Sequence, residues 1–322
     1  MNNKPRFKFA ILMLSLVLVA CSGGSAEAGC PEIDNREIKV VATTPMIGEF
    51  VSQVGGDNIN LTVLMPPEAD PHTYDPAPQD AGKIADADLV FYTGLKYEPA
   101  ALIKLLENSA CSAEVLAEVG ENVFPIEFKE DDHDEEGHDD HAGHDHGAYD
   151  PHFWFDPNRV AYAAEYIESK LVEFDPSNAS DYEAAGKAYV TELKGLVGQV
   201  SELISTIPSQ NRKLITTHES LGYLEAKFGL EVLSTIIPSL DSANEISPSQ
   251  LVGVIDVIED NNVKVIFIEA EAPSVYAETI VAETGIRPVE GLWVETLKEG
   301  QSYPEFLFEA VELIVENLRN TD

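Results

Sequence analysis

Residues 178–205 read NASDYEAAGKAYVTELKGLVGQVSELIS. Proline is absent, and Tyr182, Ala185, Tyr189, Leu193, Leu196, Val200 and Leu203 recur at helical spacing. At 1.5 Å per residue the stretch predicts one helix of roughly 40 Å, ended by Pro208. The elements on either side are much shorter, so this helix divides the chain. The reading is a first lobe at 37–176, a connector at 177–211 and a second lobe at 212–322.

Upstream, short β-branched runs alternate with helical patterns. EIKVVAT (37–43), 59–64 and DLVFYT (88–93) read as strands; 45–54, 79–87, 97–108 and 158–172 read as helices. Downstream the alternation repeats. KLITT (213–217), 231–237 and VKVIFIE (263–269) are strand-like, and Ser247 caps a helix with Pro248 at its first position. Further helices are expected at 277–284 and 305–318, with Glu295 in a late strand or loop, GLWVET (291–296). Strands alternating with helices predict α/β architecture: two lobes, each with a parallel-type sheet flanked by helices, joined by one long rigid helix.

The first 21 residues lie outside this scheme. Lys4, Arg6 and Lys8 precede an apolar run from Phe9 to Ala20, too short for a membrane span but suited to an export signal. It ends Leu18-Val19-Ala20-Cys21, which resembles a bacterial lipobox with Cys21 as the lipidated residue; residues 22–36 would then be a tether. The protein is expected outside the cytoplasm, lipid-anchored to the bacterial cell membrane or periplasmic. In that setting Cys30 and Cys111 favour a disulfide over free thiols. The formal charge of −37 argues against nucleic acid as a partner and for attraction of cations.

Five of the eight histidines, His133, His138, His141, His144 and His146, fall in the acidic stretch 129–148. It carries nothing apolar larger than alanine, so it is expected to be a disordered loop that collects metal weakly, against the alternative of a solvated acidic loop with idle histidines. The other three histidines are His72, after a strand and a proline-rich turn; His152, inside the aromatic motif DPHFWFDP (150–157); and His218, at the end of KLITT. Strand carboxyl ends are where open α/β sheets bind ligands. Three imidazoles plus one carboxylate make a tetrahedral set for zinc, held in the cleft between lobes.

The stretches DPHTYDP (70–76), DADLVFYTGLKYEP (86–99), DPHFWFDP (150–157), THESLGY (217–223) and VKVIFIEAEAP (263–273) resemble the solute-binding proteins of zinc- and manganese-importing ABC transporters, the ZnuA/TroA-like cluster A-I group. The resemblance runs through both lobes. It implies two α/β lobes, a rigid connecting helix, and metal ligands at His72, His152 and His218. The family's fourth ligand is usually Asp; Val294-Glu295-Thr296 matches that segment, making Glu295 the candidate, with a water as the alternative. Glu269 and Asp70 read as structural. Manganese-preferring members tend to have Glu where this chain has His218, and zinc members carry similar His-rich insertions, so Zn²⁺ is the expected cargo and Mn²⁺ the second choice. The implied partners are an ABC permease and, through it, an ATPase; the protein is expected to act as a monomer and not as an enzyme. Rival readings are a surface adhesin-type lipoprotein and a zinc hydrolase, the latter opposed by the absence of an HExxH motif.

Overall fold

The computed structural model describes residues 30, 33, 36–128, 149–272 and 274–319. Cys21 and the five loop histidines His133, His138, His141, His144 and His146 lie outside them.

The first lobe begins β1 (Ile38–Ala42), α1 (Pro45–Gly55), β2 (Ile59–Val63), α2 (Pro78–Ala85), β3 (Leu89–Tyr92), α3 (Ala100–Ser109) and β4 (Leu116–Glu118). All its strands pair in parallel, in the order β2-β1-β3-β4. Then come α4 (Pro157–Phe174) and the long α5 (Ala179–Ser205). The second lobe is β5 (Lys213–His218), α6 (Gly222–Phe228), β6 (Glu231–Ile237), α7 (Pro248–Asn261), β7 (Val265–Glu269), α8 (Ala277–Thr284), β8 (Arg287–Leu292) and α9 (Tyr303–Leu318). Its sheet is again parallel, in the order β6-β5-β7-β8. The two lobes therefore share one topology without a repeated sequence.

A parallel sheet needs cover on both faces, and each lobe supplies it. One apolar core runs from β1 and β3 through α1, α4, α5 and α9 to β7, and includes Phe50, Trp154, Tyr189, Leu193, Val200, Phe306 and Val311. Ile215, Ile236, Val254, Ile266 and Ile280 form a second core on the outer side of the second sheet, and Val41, Ile84, Val90, Leu102 and Leu106 a third beside the first sheet. The largest core thus joins the lobes. Cys30 and Cys111 are disulfide-bonded across 81 residues of chain, a loop whose closure stabilises by about 4.5 kcal/mol on the chain-entropy argument. Among the described residues no helix is long and apolar enough to cross a membrane.

Several expected boundaries move. On α5 the buried stripe includes Gly186 and Ile204 instead of Ala185 and Leu203. At Gly186 an added Cβ would lie 2.1 Å from Glu168 Oε2 on α4, so the helices meet where one has no side chain. The helix expected from Tyr97 starts at Ala100, because Pro99 sits as an extended cap. The last strand starts at Arg287, four residues ahead of GLWVET, which leaves Glu295 in the loop beyond it; its burial pattern, mostly exposed, gives no apolar alternation to read. Strand β4 has no counterpart in the sequence pattern: three residues are too few for a periodicity.

Candidate metal centre

Each sheet delivers residues to the cleft at the carboxyl ends of its strands, where such sheets bind ligands. His72 follows β2 on a single 3-10 turn (Pro71–Thr73), which Asp70 caps by accepting its backbone N–H at 3.0 Å. His152 precedes another 3-10 turn, Phe153–Phe155, whose aromatic side chains are wholly buried. His218 is the last residue of β5, and Glu295 follows β8.

Glu295 Oε1 lies 3.4 Å from His72 Nε2, 3.3 Å from His152 Nε2 and 2.7 Å from His218 Nε2. One ligand atom from each of the four residues falls within 4.8 Å of all the others. Three are buried, and the His72 side chain is only 3% exposed. A tetrahedral shell with bonds of about 2.1 Å has edges of roughly 3.4 Å, close to two of these spacings. Nε2 of His72 and of His218 are buried and, although Glu295 Oε1 lies 3.4 and 2.7 Å away, neither makes a hydrogen bond of good geometry. Buried polar atoms normally have one, and orphans that converge on a common point fit a cation.

The far side of each ring is treated differently. His152 Nδ1 faces Asp150 Oδ1 at 2.8 Å, and His218 Nδ1 faces Glu269 Oε2 at 2.5 Å. Such carboxylates place the proton on Nδ1 and turn the Nε2 lone pair toward the cleft. Glu269, at the end of β7, also accepts from Thr216 Oγ1 and Ser220 Oγ, each at 3.0 Å. It thus fastens the end of β7 to β5 and braces the His218 ring. Asp70 caps the His72 turn and its other oxygen accepts from Ser242 Oγ at 3.3 Å, a bond between lobes.

Glu295 is held from two sides. Tyr97 O–H reaches both its Oε2 and its carbonyl oxygen at 2.9 Å. Behind the loop, Glu271 Oε1 accepts the N–H groups of Val294, Glu295 and Thr296 at 2.9, 2.9 and 3.3 Å. Tyr97 enters from the turn Gly94-Leu95-Lys96, whose residues all have positive φ. Glycine is required first, since a Cβ at Gly94 would sit 1.9 Å from Glu118 Oε1. The buried Glu98 ties the turn by accepting from Thr43 Oγ1 and the N–H of Thr93 and Gly94.

The charges are tightly coupled. Burial alone would raise the Glu295 carboxyl, but His152, His72 and His218 hold it well below the usual range. Burial would lower His152, yet Glu295 and the hydrogen bond to Asp150 raise it to about 9. His218 is likewise raised, against burial, by Glu269 and Glu295. Burial pushes Glu271 up to about 8.

Asp150, Tyr97 and Glu271 were not singled out from sequence. Asp150 had a usable signal, because it stands two residues before His152 as Asp70 does before His72. Tyr97 and Glu271 gave none; their partners lie 198 and 24 positions away.

Two four-stranded parallel lobes, a long helix and a cation-type donor set at the cleft define the class: a solute-binding protein whose cargo is a metal ion. Residues 40–317 match the model of the ZnuA family, zinc-uptake complex component A, periplasmic, and the chain belongs to that family. It is thus an extracytoplasmic metal-binding component of an ABC transporter. The manganese-binding lipoprotein MntA of Halalkalibacterium halodurans is 26% identical over 284 residues, covering 88% of this chain and 87% of that relative. The manganese ABC transporter substrate-binding lipoprotein PsaA of Streptococcus mitis is 27% identical over 320 residues, covering 96% and 97%. Among solved structures, the periplasmic zinc binding protein TroA from Treponema pallidum superposes with a TM-score of 0.75 at 22% identity, covering 88% of this chain and 99% of that one. Fe(III)-bound YtgA from Chlamydia trachomatis gives 0.74 at 24%, covering 87% and 98%.

Proposed function

We propose that the protein captures Zn²⁺ between its lobes with His72, His152, His218 and Glu295 and delivers it to a membrane permease. The observation that carries this reading is the convergence of three Nε2 atoms on one carboxylate oxygen, two of them buried without a well-formed hydrogen bond. Three nitrogens suit a borderline ion, whereas manganese prefers oxygen. A four-residue shell also has no open position for a reacting water, which speaks against a hydrolase. The lipid at Cys21 would keep the protein beside the permease, and His133, His138, His141, His144 and His146 would gather metal weakly near the cleft. The core shared by the lobes would hold them to small relative movements.

Manganese is the second reading, and a specific observation favours it: MntA and PsaA are both manganese proteins by name. Titration of the exported chain with Zn²⁺ and with Mn²⁺, with Glu295→Ala alongside, tests the choice. One tight zinc site, weaker manganese and loss of the tight site in the variant are expected. Tighter manganese transfers the assignment to that ion, and tight zinc in Glu295→Ala removes Glu295 from the shell.

A further inference from the structure

A carboxylate ligates a metal through one oxygen or through both, and the choice sets the coordination number. In Glu295 the two oxygens are not equivalent. Oε1 faces the three imidazoles. Oε2 accepts a hydrogen bond from Tyr97, whose ring is buried among His72, His152 and Trp154 with centroids 5.2, 6.0 and 5.3 Å away. The same phenolic proton is shared with the Glu295 carbonyl oxygen, also 2.9 Å away, and Glu271 fixes the backbone N–H groups from behind. With main chain and Oε2 both held, swinging the second oxygen onto an ion requires breaking a buried, charge-assisted hydrogen bond.

We infer that Tyr97 is a specificity-determining positioning residue: by engaging Oε2 it limits Glu295 to one-oxygen coordination, keeps the shell at four donors and disfavours manganese relative to zinc. The inference rests on the reading that these four residues hold a divalent cation. Zinc accepts four tetrahedral donors. Manganese is served by additional oxygens in a six-coordinate shell, and Oε2 is the oxygen already in place to supply one. Tyr97→Phe keeps the ring packing and deletes only the hydroxyl. Its freed, buried Oε2 then turns to the ion for a partner.

The test compares wild type, Tyr97→Phe and a control, Tyr182→Phe, which loses another buried phenol–carboxylate bond, to Asp175 at 2.8 Å, far from the cleft. Zn²⁺ and Mn²⁺ affinities are measured by titration, and coordination number by the visible absorption of the Co²⁺-loaded protein, which is strong for four donors and weak for six. In Tyr97→Phe the zinc-to-manganese affinity ratio should narrow by roughly tenfold, about 1.4 kcal/mol, and the Co²⁺ bands should weaken, with neither change in the control. Equal weakening of both metals with unchanged bands means that Tyr97 only braces the fold, and overturns the inference. Six-coordinate bands in wild type overturn it without recourse to any variant. Failure of wild type to show one tight site for either ion overturns the four-residue site itself, a distinct outcome.

Discussion

Two Asp-Pro-His tripeptides, 70–72 and 150–152, begin alike and are used differently. In both, the aspartate accepts the backbone N–H of the histidine two residues on, at 3.0 Å and 2.8 Å. Beyond that they diverge. Asp150 also holds the ring of its own histidine at Nδ1, and the second lobe packs against it. Tyr223 O–H donates to the Asp150 carbonyl at 2.8 Å, and Gly222 leaves room where a Cβ would stand 2.5 Å from Asp150 Oδ2. Asp70 instead reaches across the cleft to Ser242, and His72 Nδ1 lies 3.9 Å from Asp241, whose side chain is 46% exposed. Local sequence sets the bend of the backbone; the tertiary neighbours decide whether the imidazole is clamped. His152 has its orienting carboxylate within its own lobe, whereas the carboxylate that faces His72 Nδ1 belongs to the opposite one.

The largest effect that tests this contrast is His152→Ala, which removes a donor and leaves Asp150 buried without its ring partner. Zinc affinity should fall by more than about a hundredfold, beyond the range expected for loss of an orienting partner alone. Next is the carboxylate itself. Asp150→Asn should weaken binding by roughly 10–100-fold, and Asp70→Asn by less, because Asp70 does not touch the imidazole. Titrations of the two variants side by side decide it; equal losses would mean that the two tripeptides do the same job after all.

Acidity gives a third handle. The His152 pKa is raised from 6.5 to about 9 in the folded, metal-free protein. The protonated ring therefore stabilises the metal-free fold fully below about pH 6.5, and this contribution is lost as pH climbs through about 9. Metal needs the same nitrogen unprotonated, so zinc affinity should rise over that window, by about tenfold per pH unit for each displaced proton. Heats of binding in buffers of different ionisation enthalpy should report proton release at pH 7.5. No release there would mean that the His152 imidazole is already unprotonated beside Asp150. Gly222→Ala attacks the pair sterically: the new methyl pushes on Asp150 Oδ2, and a several-fold affinity loss without unfolding is expected, read by titration and thermal melting.

Much of this arrangement was readable from residue order. Long stretches with a clear period, such as 178–205 and VKVIFIE, were placed well because burial on one face or on both dictates which side chains are apolar. The four residues that converge at the cleft could also be picked out, since His72, His152 and His218 stand at strand ends or rigid turns and Glu295 in a recognisable segment. What supports them was not. Glu269 orients His218 from 51 residues away, and Tyr97 holds Glu295 from 198 away. Such pairs are created when β5 and β7 become neighbours and when the lobes close on each other, and no spacing along the chain encodes them. The shift of the α5 stripe to Gly186 has the same origin, since it depends on where α4 crosses.

The smallest expected effect is also the most selective. Ser242→Ala deletes the hydroxyl that Asp70 accepts at 3.3 Å between lobes, a long bond to a partly buried group whose pKa burial already raises. None of the four candidate ligands is touched, and Asp70 still caps the His72 turn. Equilibrium affinity should change by no more than about two- to threefold, within the range of a single modest hydrogen bond. The change should appear in the rate of zinc loss to a chelator rather than in the rate of capture. A release rate raised as far as in Asp150→Asn would show that the Ser242–Asp70 contact secures the site as firmly as the Asp150 clamp, and the distinction between the two tripeptides would fail.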